Sequence, residues 1–240
     1  MEIYKGDNLP YSILASVKES CDLKTKTLLL QGLFTKEKHM DKISECASSF
    51  KKLRDVSYKF IVSFQRKTRE INLNFQESDF FHLAGLQYIS DLAIPQNRKI
   101  TIYNILEKKC ITDEMLGKSK HFCNKNSEVD VKSRIEELCY LEDYLDSENI
   151  IKIFSVKDDI YLSSKIDAEY LIESKLKNRH VSVYIFLTRR NENEDFYCVK
   201  SFFVKKKIVY SGKAMYWMYK EKIINGIPNV LFKHKNFIIE

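Results

Sequence analysis

Phe80-Phe81-His82-Leu83-Ala84-Gly85-Leu86 sets one imidazole into an otherwise apolar run, directly behind the strand-like Glu70-Ile71-Asn72-Leu73-Asn74-Phe75. Ser78 is placed to cap a helix that starts there, and Asp79 falls in its first turn, where the helix dipole favours an anion. Leu83, Leu86, Ile89 and Leu92 then recur at helical spacing, with Pro95 just beyond, which predicts a helix with one buried stripe. His82 lies at the margin of that stripe, one position from Leu83 and four from Leu86. A histidine so placed either packs as a satisfied core residue or presents its edge to a cleft.

Upstream, Tyr58 to Phe64 and Glu70 to Phe75 alternate with period two about Gln65-Arg66-Lys67-Thr68-Arg69, the pattern of a β-hairpin. A helix is expected from about Met40 to Leu53, on Ile43, Ala47, Phe50 and Leu53. Residues 1–39 read as an N-terminal extension of unknown role, with a helix over Tyr11 to Ser20 and an apolar stretch from Thr27 to Phe34. Downstream, helices are expected over Thr101 to Lys108, Thr112 to Phe122 and Ser127 to Leu145. The last carries Val131, Ile135, Leu138, Leu141 and Leu145 on one face, with Arg134 beside it. A strand over Ile150 to Val156 and a short helix over Ile166 to Leu176 follow. The C-terminal third turns to β, with strands over His180 to Leu187, Phe196 to Val204 and Lys213 to Lys220, the first two joined through Asn191-Glu192-Asn193-Glu194. No internal repeat or low-complexity linker divides 40–240, which therefore reads as one domain.

With 240 residues, 44% of them hydrophobic, the chain can bury a sizeable core. No stretch approaches the roughly 18 to 20 uninterrupted apolar residues of a membrane helix. The N-terminus is broken by Lys5, Asp7 and Pro10 and lacks a signal-peptide apolar region. The expectation is a cytoplasmic protein with no membrane partner. The six cysteines are scattered without a Cys-x-x-Cys, against a zinc module or a disulfide framework. His121-x-Cys123 has no second ligand pair at a useful spacing, so no metal is expected and the thiols are expected free.

The net charge of +7 is local: Lys200 to Lys235 holds nine lysines against one acid, Glu221. Tyr210, Tyr216, Trp217, Tyr219 and Phe232 are interleaved with them. Such a surface suits phosphates and stacked bases, and equally a strand edge that lysines protect from aggregation.

Phosphate-cradling Gly-x-Gly-x-x-Gly and Gly-x-x-x-x-Gly-Lys-Ser/Thr loops are absent, as are His-Glu-x-x-His and Gly-x-Ser-x-Gly. Asp113 and the Asp130-x-Lys132 pair lie in helical sequence, away from the strands that usually present carboxylates to a nuclease metal. What remains is His82, Ser119, Arg134, Lys200, Ser201, Tyr210 and the basic C-terminal region. RNA cleavage by attack of its own 2′-hydroxyl needs a proton acceptor, a proton donor, and cations or hydrogen-bond donors for the phosphorane, and these residue types supply them. Each also has a plain structural role: Arg134 in a helix-surface ion pair with Glu137 or Glu142, Ser119 as polar surface, Ser201 facing cleft or solvent along an alternating strand.

The ordered series of a Phe-rich hairpin, Asp79-Phe80-Phe81-His82-Leu83-Ala84-Gly85-Leu86, Gly117-Lys118-Ser119-Lys120-His121-Phe122, Arg134-Ile135-Glu136-Glu137-Leu138, Ile166-Asp167-Ala168-Glu169-Tyr170-Leu171, Lys200-Ser201-Phe202-Phe203 and Tyr216-Trp217-Met218-Tyr219-Lys220-Glu221-Lys222 resembles the fourth phage-associated group of barnase/EndoU/colicin/RelE-like (BECR) nucleases, over roughly residues 40–225. The resemblance implies an α+β domain with helices packed on one face of an antiparallel β-sheet. It implies a metal-independent endoribonuclease of phage or mobile-element origin, a toxin or effector that needs no cofactor. His82, Arg134, Ser201 and Ser119 are the catalytic residues it carries over. Lys200, Lys205, Lys206, Lys207, Lys213, Tyr210, Trp217 and Lys220 are the nucleic-acid-binding residues expected beside them. The expected partners are RNA and an antidote or host protein. The competing reading is a catalytically silent RNA-binding or host-defence-inhibiting protein that keeps the basic groove, and a third is a structural protein whose lysines only guard an edge.

Overall fold

The computed structural model describes residues 41–124, 130–154, 166–191 and 195–238, and the expectations for residues 1–39 lie outside them. Helix α1 (Lys42–Lys52) buries Ile43, Cys46, Ala47 and Phe50, as its apolar spacing predicts. Its first N–H groups, Lys42 and Ile43, both donate to the Asp113 carboxylate at 2.6 and 3.2 Å, while the N–H of Asp113 donates to Asp41 at 2.7 Å. Two aspartates thus satisfy the orphan donors at each other's helix start, which gives Asp113 a structural task.

Strands β1 (Val56–Phe64) and β2 (Lys67–Asn74) form the expected hairpin, with Phe64 opposite Lys67. Gln65 and Arg66 take φ of 49° and 65°, the left-handed pair of a two-residue hairpin turn. The chain then differs from expectation. The side chains of Gln76 and Asp79, and not Ser78, cap a 3-10 turn over Glu77–Asp79 that runs into α2 (Phe80–Leu83). Helix α2 ends there because Gly85 takes φ 78° and opens a second 3-10 turn over Leu86–Tyr88. Further on lie α3 (Thr101–Leu106), α4 (Asp113–Leu116), α5 (Val131–Leu138) and α6 (Leu141–Asp146). The expected helix over 127–145 is two helices broken at Cys139 and Tyr140, and its first residues fall outside the described ones.

Strands β3 (Asn149–Ile153), β4 (Tyr170–Lys175), β5 (Ser182–Arg189), β6 (Phe196–Val204), β7 (Lys213–Ala214), β8 (Tyr216–Ile224) and β9 (Ile227–Lys233) complete a nine-stranded sheet in the order β7-β3-β4-β5-β6-β2-β1-β8-β9. Residues 170–175, expected as helix, are strand β4. Tyr170 and Ile172 pack into the main core and Leu171 into a second cluster, so this short apolar run is buried on both faces, where periodicity does not separate strand from helix. The sheet is mixed and not wholly antiparallel: β2 and β6 run parallel through Asn72–Phe196 and Leu73–Tyr197.

A single residue, Met215, separates β7 from β8, and its N–H donates to the Ile151 carbonyl at 2.9 Å. One stretch of backbone therefore pairs with β3 at one end and β1 at the other, and the sheet curls round on itself. Along β5, Val183, Ile185 and Leu187 face the main core while Tyr184 and Phe186 join Phe154, Leu171, Phe203 and Tyr210 in the second cluster. The continuous apolar run of β5 follows from this two-sided burial. The content is that of an α+β fold. Helices α2 and α5 pack against β6 and bring the sequence-predicted residues to that strand.

Candidate active site

Helix α2 is held at its start by Arg190, which follows β5. The Arg190 guanidinium donates to both Asp79 carboxylate oxygens at 3.1 and 2.8 Å, to Asn74 Oδ1 at 2.9 Å and to the Asn74 carbonyl at 3.1 Å. Phe80, Phe81 and Leu83 are buried while His82 is half-buried, so His82 stands at the edge of the apolar surface, as its sequence position implies. Burial first, then the positive charges of Arg98 and Lys200, lower the His82 pKa; the Gln87 carboxamide and Asp79 pull the other way. The imidazole is therefore neutral at pH 7 and free to accept a proton.

Arg134, on α5, is only 4% exposed and pairs with neither Glu137 nor Glu142. Glu137 instead accepts from Arg179 and from the Tyr144 hydroxyl. The Arg134 guanidinium carbon lies 5.2 Å from the ring centre of Tyr88 and 5.2 Å from that of Phe203, the geometry of cation–π contact. Burial lowers its pKa, offset in part by Tyr88, Tyr210 and Asp130, and the side chain stays cationic. Gly85 makes room for it: a Cβ there would stand 3.0 Å from Arg134 Cδ and 3.5 Å from Tyr88 Cδ2. Among the described residues, four buried side-chain polar atoms lack a hydrogen bond, and Arg134 Nε and Gln87 Oε1 are two of them. Unsatisfied buried groups are rare in folded proteins, and each calls for an explanation.

Strand β6 carries a bulge. Ser201 pairs with Phe186 and Val199 with Leu187, leaving Lys200 as the additional residue. Bulges re-aim side chains beside functional sites. Here Lys200 is exposed and counts among the charges acting on His82, while Ser201 shares a strand face with Phe203, the ring beneath Arg134. Helices α2 and α5 thus both pack on β6, where Lys200 acts on His82 and Phe203 lies under Arg134.

Ser119 takes no part in these contacts. It is buried, its hydroxyl donates to Asp91 Oδ1 at 2.6 Å and accepts from the His121 N–H at 3.0 Å, and it ties one loop to another. Asp130 caps α5 and pairs with Lys206 at 3.1 Å.

The lysine-rich region divides in the same way. Lys220 is buried, donates to the Leu145 and Ser147 carbonyls at 2.7 and 2.9 Å, and has its pKa lowered to about 8 by burial. Trp217 donates to the Asn149 carbonyl at 2.8 Å and packs edge-on to Phe60, and Tyr210 is buried in the second cluster. Lys220 and Tyr210 are interior residues, which corrects their expected place on a phosphate-tracking surface, while Trp217 is half-buried. Lys205 is paired with Glu173 and Lys206 with Asp130; Lys200, Lys207 and Lys213 are exposed.

Gln87 and Arg98 act on His82, and Gly85 and Tyr88 lie against Arg134; these four are not singled out by the sequence. The available signal was a glycine inside a helical pattern. Comparison with family models matches residues 42–236 to the family described as phage-Barnase-EndoU-ColicinE5/D-RelE like nuclease 4. The chain belongs to this nuclease family. No curated protein matches the chain, and no solved structure does. Membership in this phage-related BECR nuclease family makes nucleic acid the substrate class. No described helix is long and apolar enough to cross a membrane.

Proposed function

We propose that this BECR-family nuclease is a metal-independent endoribonuclease, with residues 40–240 as its catalytic domain and residues 1–39 as an extension. His82 takes the proton of a 2′-hydroxyl, and the 2′ oxygen bonds to phosphorus as the bond to the 5′ oxygen breaks. The products are a 2′,3′-cyclic phosphate and a 5′-hydroxyl end, the departing oxygen collecting a proton from water. Arg134 and Lys200 stabilise the charge that builds on the phosphorane, and Ser201 orients a phosphate oxygen.

The observation that supports this reading is the buried Arg134 guanidinium, its Nε without a hydrogen-bond partner, on a helix packed against the same strand as the helix that carries the half-buried His82. A cation held in the interior with an unfilled donor suits a phosphate. The neutral His82 suits general-base work at physiological pH. An antidote or host protein as a second partner is part of the same proposal.

The test is an RNA oligonucleotide incubated with the protein in EDTA, beside the same sequence as DNA. Cleavage of the RNA alone, leaving cyclic phosphate ends, is expected. Cleavage of the DNA, or loss of RNA cleavage with the chelator, overturns the proposal. Salt-sensitive binding without cleavage instead selects the silent RNA-binding protein.

A further inference from the structure

Tyr88 is an aromatic side chain presented at the surface from a hydrogen-bonded turn. Two-fifths of its area is open, at 41%, although its neighbours Leu86 and Ile89 are buried at 0% and 1%. These two residues anchor the turn on either side, and the backbone is pinned by Tyr88 N–H to the Gly85 carbonyl at 3.0 Å, Ile89 N–H to Leu86 at 3.1 Å and Ser90 N–H to Tyr88 at 3.1 Å. The ring rests against the buried Arg134 guanidinium at 5.2 Å. Most of the cost of fixing an exposed aromatic is therefore already met in the free protein, which is how a preorganised binding surface is made.

We propose that Tyr88 is a stacking platform for one nucleobase of a single-stranded substrate, and so a specificity-determining residue that selects which phosphate reaches Arg134 and His82. The proposal rests on the nuclease reading above and adds the substrate form and a binding residue to it. The ring is adjacent to the cation that would hold the phosphate, so base and phosphate of one nucleotide are gripped together. Stacking needs an unpaired base whose face is free, which a duplex does not offer. Tyr88 lies six residues after His82, on the hydrogen-bonded turn that Gly85 opens directly after α2.

The test uses a 2′-O-methyl RNA oligonucleotide, which has no 2′-hydroxyl to attack, so that binding is read without cleavage. A single abasic position is walked along the strand, and affinity is measured for the full-length protein and for Tyr88→Phe, Tyr88→Leu and Tyr88→Ala. One abasic position is expected to weaken the unmodified protein and Tyr88→Phe by about 5- to 100-fold. That penalty is expected to vanish in Tyr88→Leu, which keeps an apolar side chain but has no ring face, and in Tyr88→Ala. An abasic penalty that persists in Tyr88→Leu, or a walk that shows no sensitive position, overturns the inference. Absence of RNA cleavage with the penalty intact would instead sink the nuclease reading and leave the platform standing. Cleavage without any penalty would do the reverse.

Discussion

Gly85 carries two demands at once, a φ of 78° and a missing side chain where Arg134 Cδ would otherwise meet a Cβ at 3.0 Å. Alanine meets neither, so Gly85→Ala is expected to cost about 1–2 kcal/mol, read as a lower thermal midpoint. A variant that melts with the parent protein would contradict this account of the corner. The sequence shows His82 at the rim of an apolar stripe, but it hides the break at Gly85. Leu83, Leu86 and Ile89 keep a three-residue spacing that a 3-10 turn shares with a helix, so the apolar pattern survives where the helix ends. Lys220 is a second residue whose place alternation alone does not reveal, since a lysine in a strand reads as outward-facing. Burial brings its pKa to about 8, against about 10.4 in an unfolded chain. Between those values the unfolded state binds more protons, so the Lys220 contribution to stability rises with pH through that window. Raising the pH from 8 to 10 should therefore improve the stability of the parent protein relative to Lys220→Met. A difference that stays constant with pH would place the ammonium in solvent.

At the scale of elements, the position of α2 depends on Arg190, which spans Asn74 at the end of β2 and Asp79 at the head of the helix. Both charged side chains are largely buried, at 11% and 15% exposed, so removing one leaves the other unpaired in the interior. Arg190→Ala is expected to destabilise by about 3–5 kcal/mol, seen as a shift in the denaturant midpoint without a change of slope. A loss below about 1 kcal/mol would show that α2 is held by its apolar side chains alone. The hairpin, α1 and strands β5 and β6 were legible because their periodicity is long or their turns are marked. β4 was not, for its six residues hold a short apolar run buried on both faces. The parallel pairing of β2 with β6 was equally hidden, because partner choice is a long-range property that no local pattern encodes.

For the whole molecule, basic character and free basic surface are different quantities. Lys220 and Lys222 serve the interior, Lys205 and Lys206 face Glu173 and Asp130, Lys200, Lys207 and Lys213 are exposed on or after β6, and Lys233 and Lys235 are exposed near the end of the chain. Replacing Lys200, Lys207 and Lys213 by alanine should flatten the dependence of log affinity on log salt for single-stranded RNA by roughly 2 units, at about 0.7 for each phosphate no longer neutralised. An unchanged slope would move the nucleic-acid surface elsewhere on the protein. His82 separates the two readings of the molecule, because the same half-buried imidazole is either the base of a nuclease or a packing residue at the margin of α2. The decisive measurement is EDTA-resistant RNA cleavage by His82→Gln and His82→Ala, with thermal unfolding followed on the same samples. Loss of a general base lowers the rate by about 10² to 10⁴-fold, and the parent enzyme should reach its full rate by neutral pH, since its histidine titrates below the usual 6.5. Both variants should lose cleavage on that scale while unfolding close to the parent temperature. Cleavage that survives in variants whose stability has fallen would contradict it.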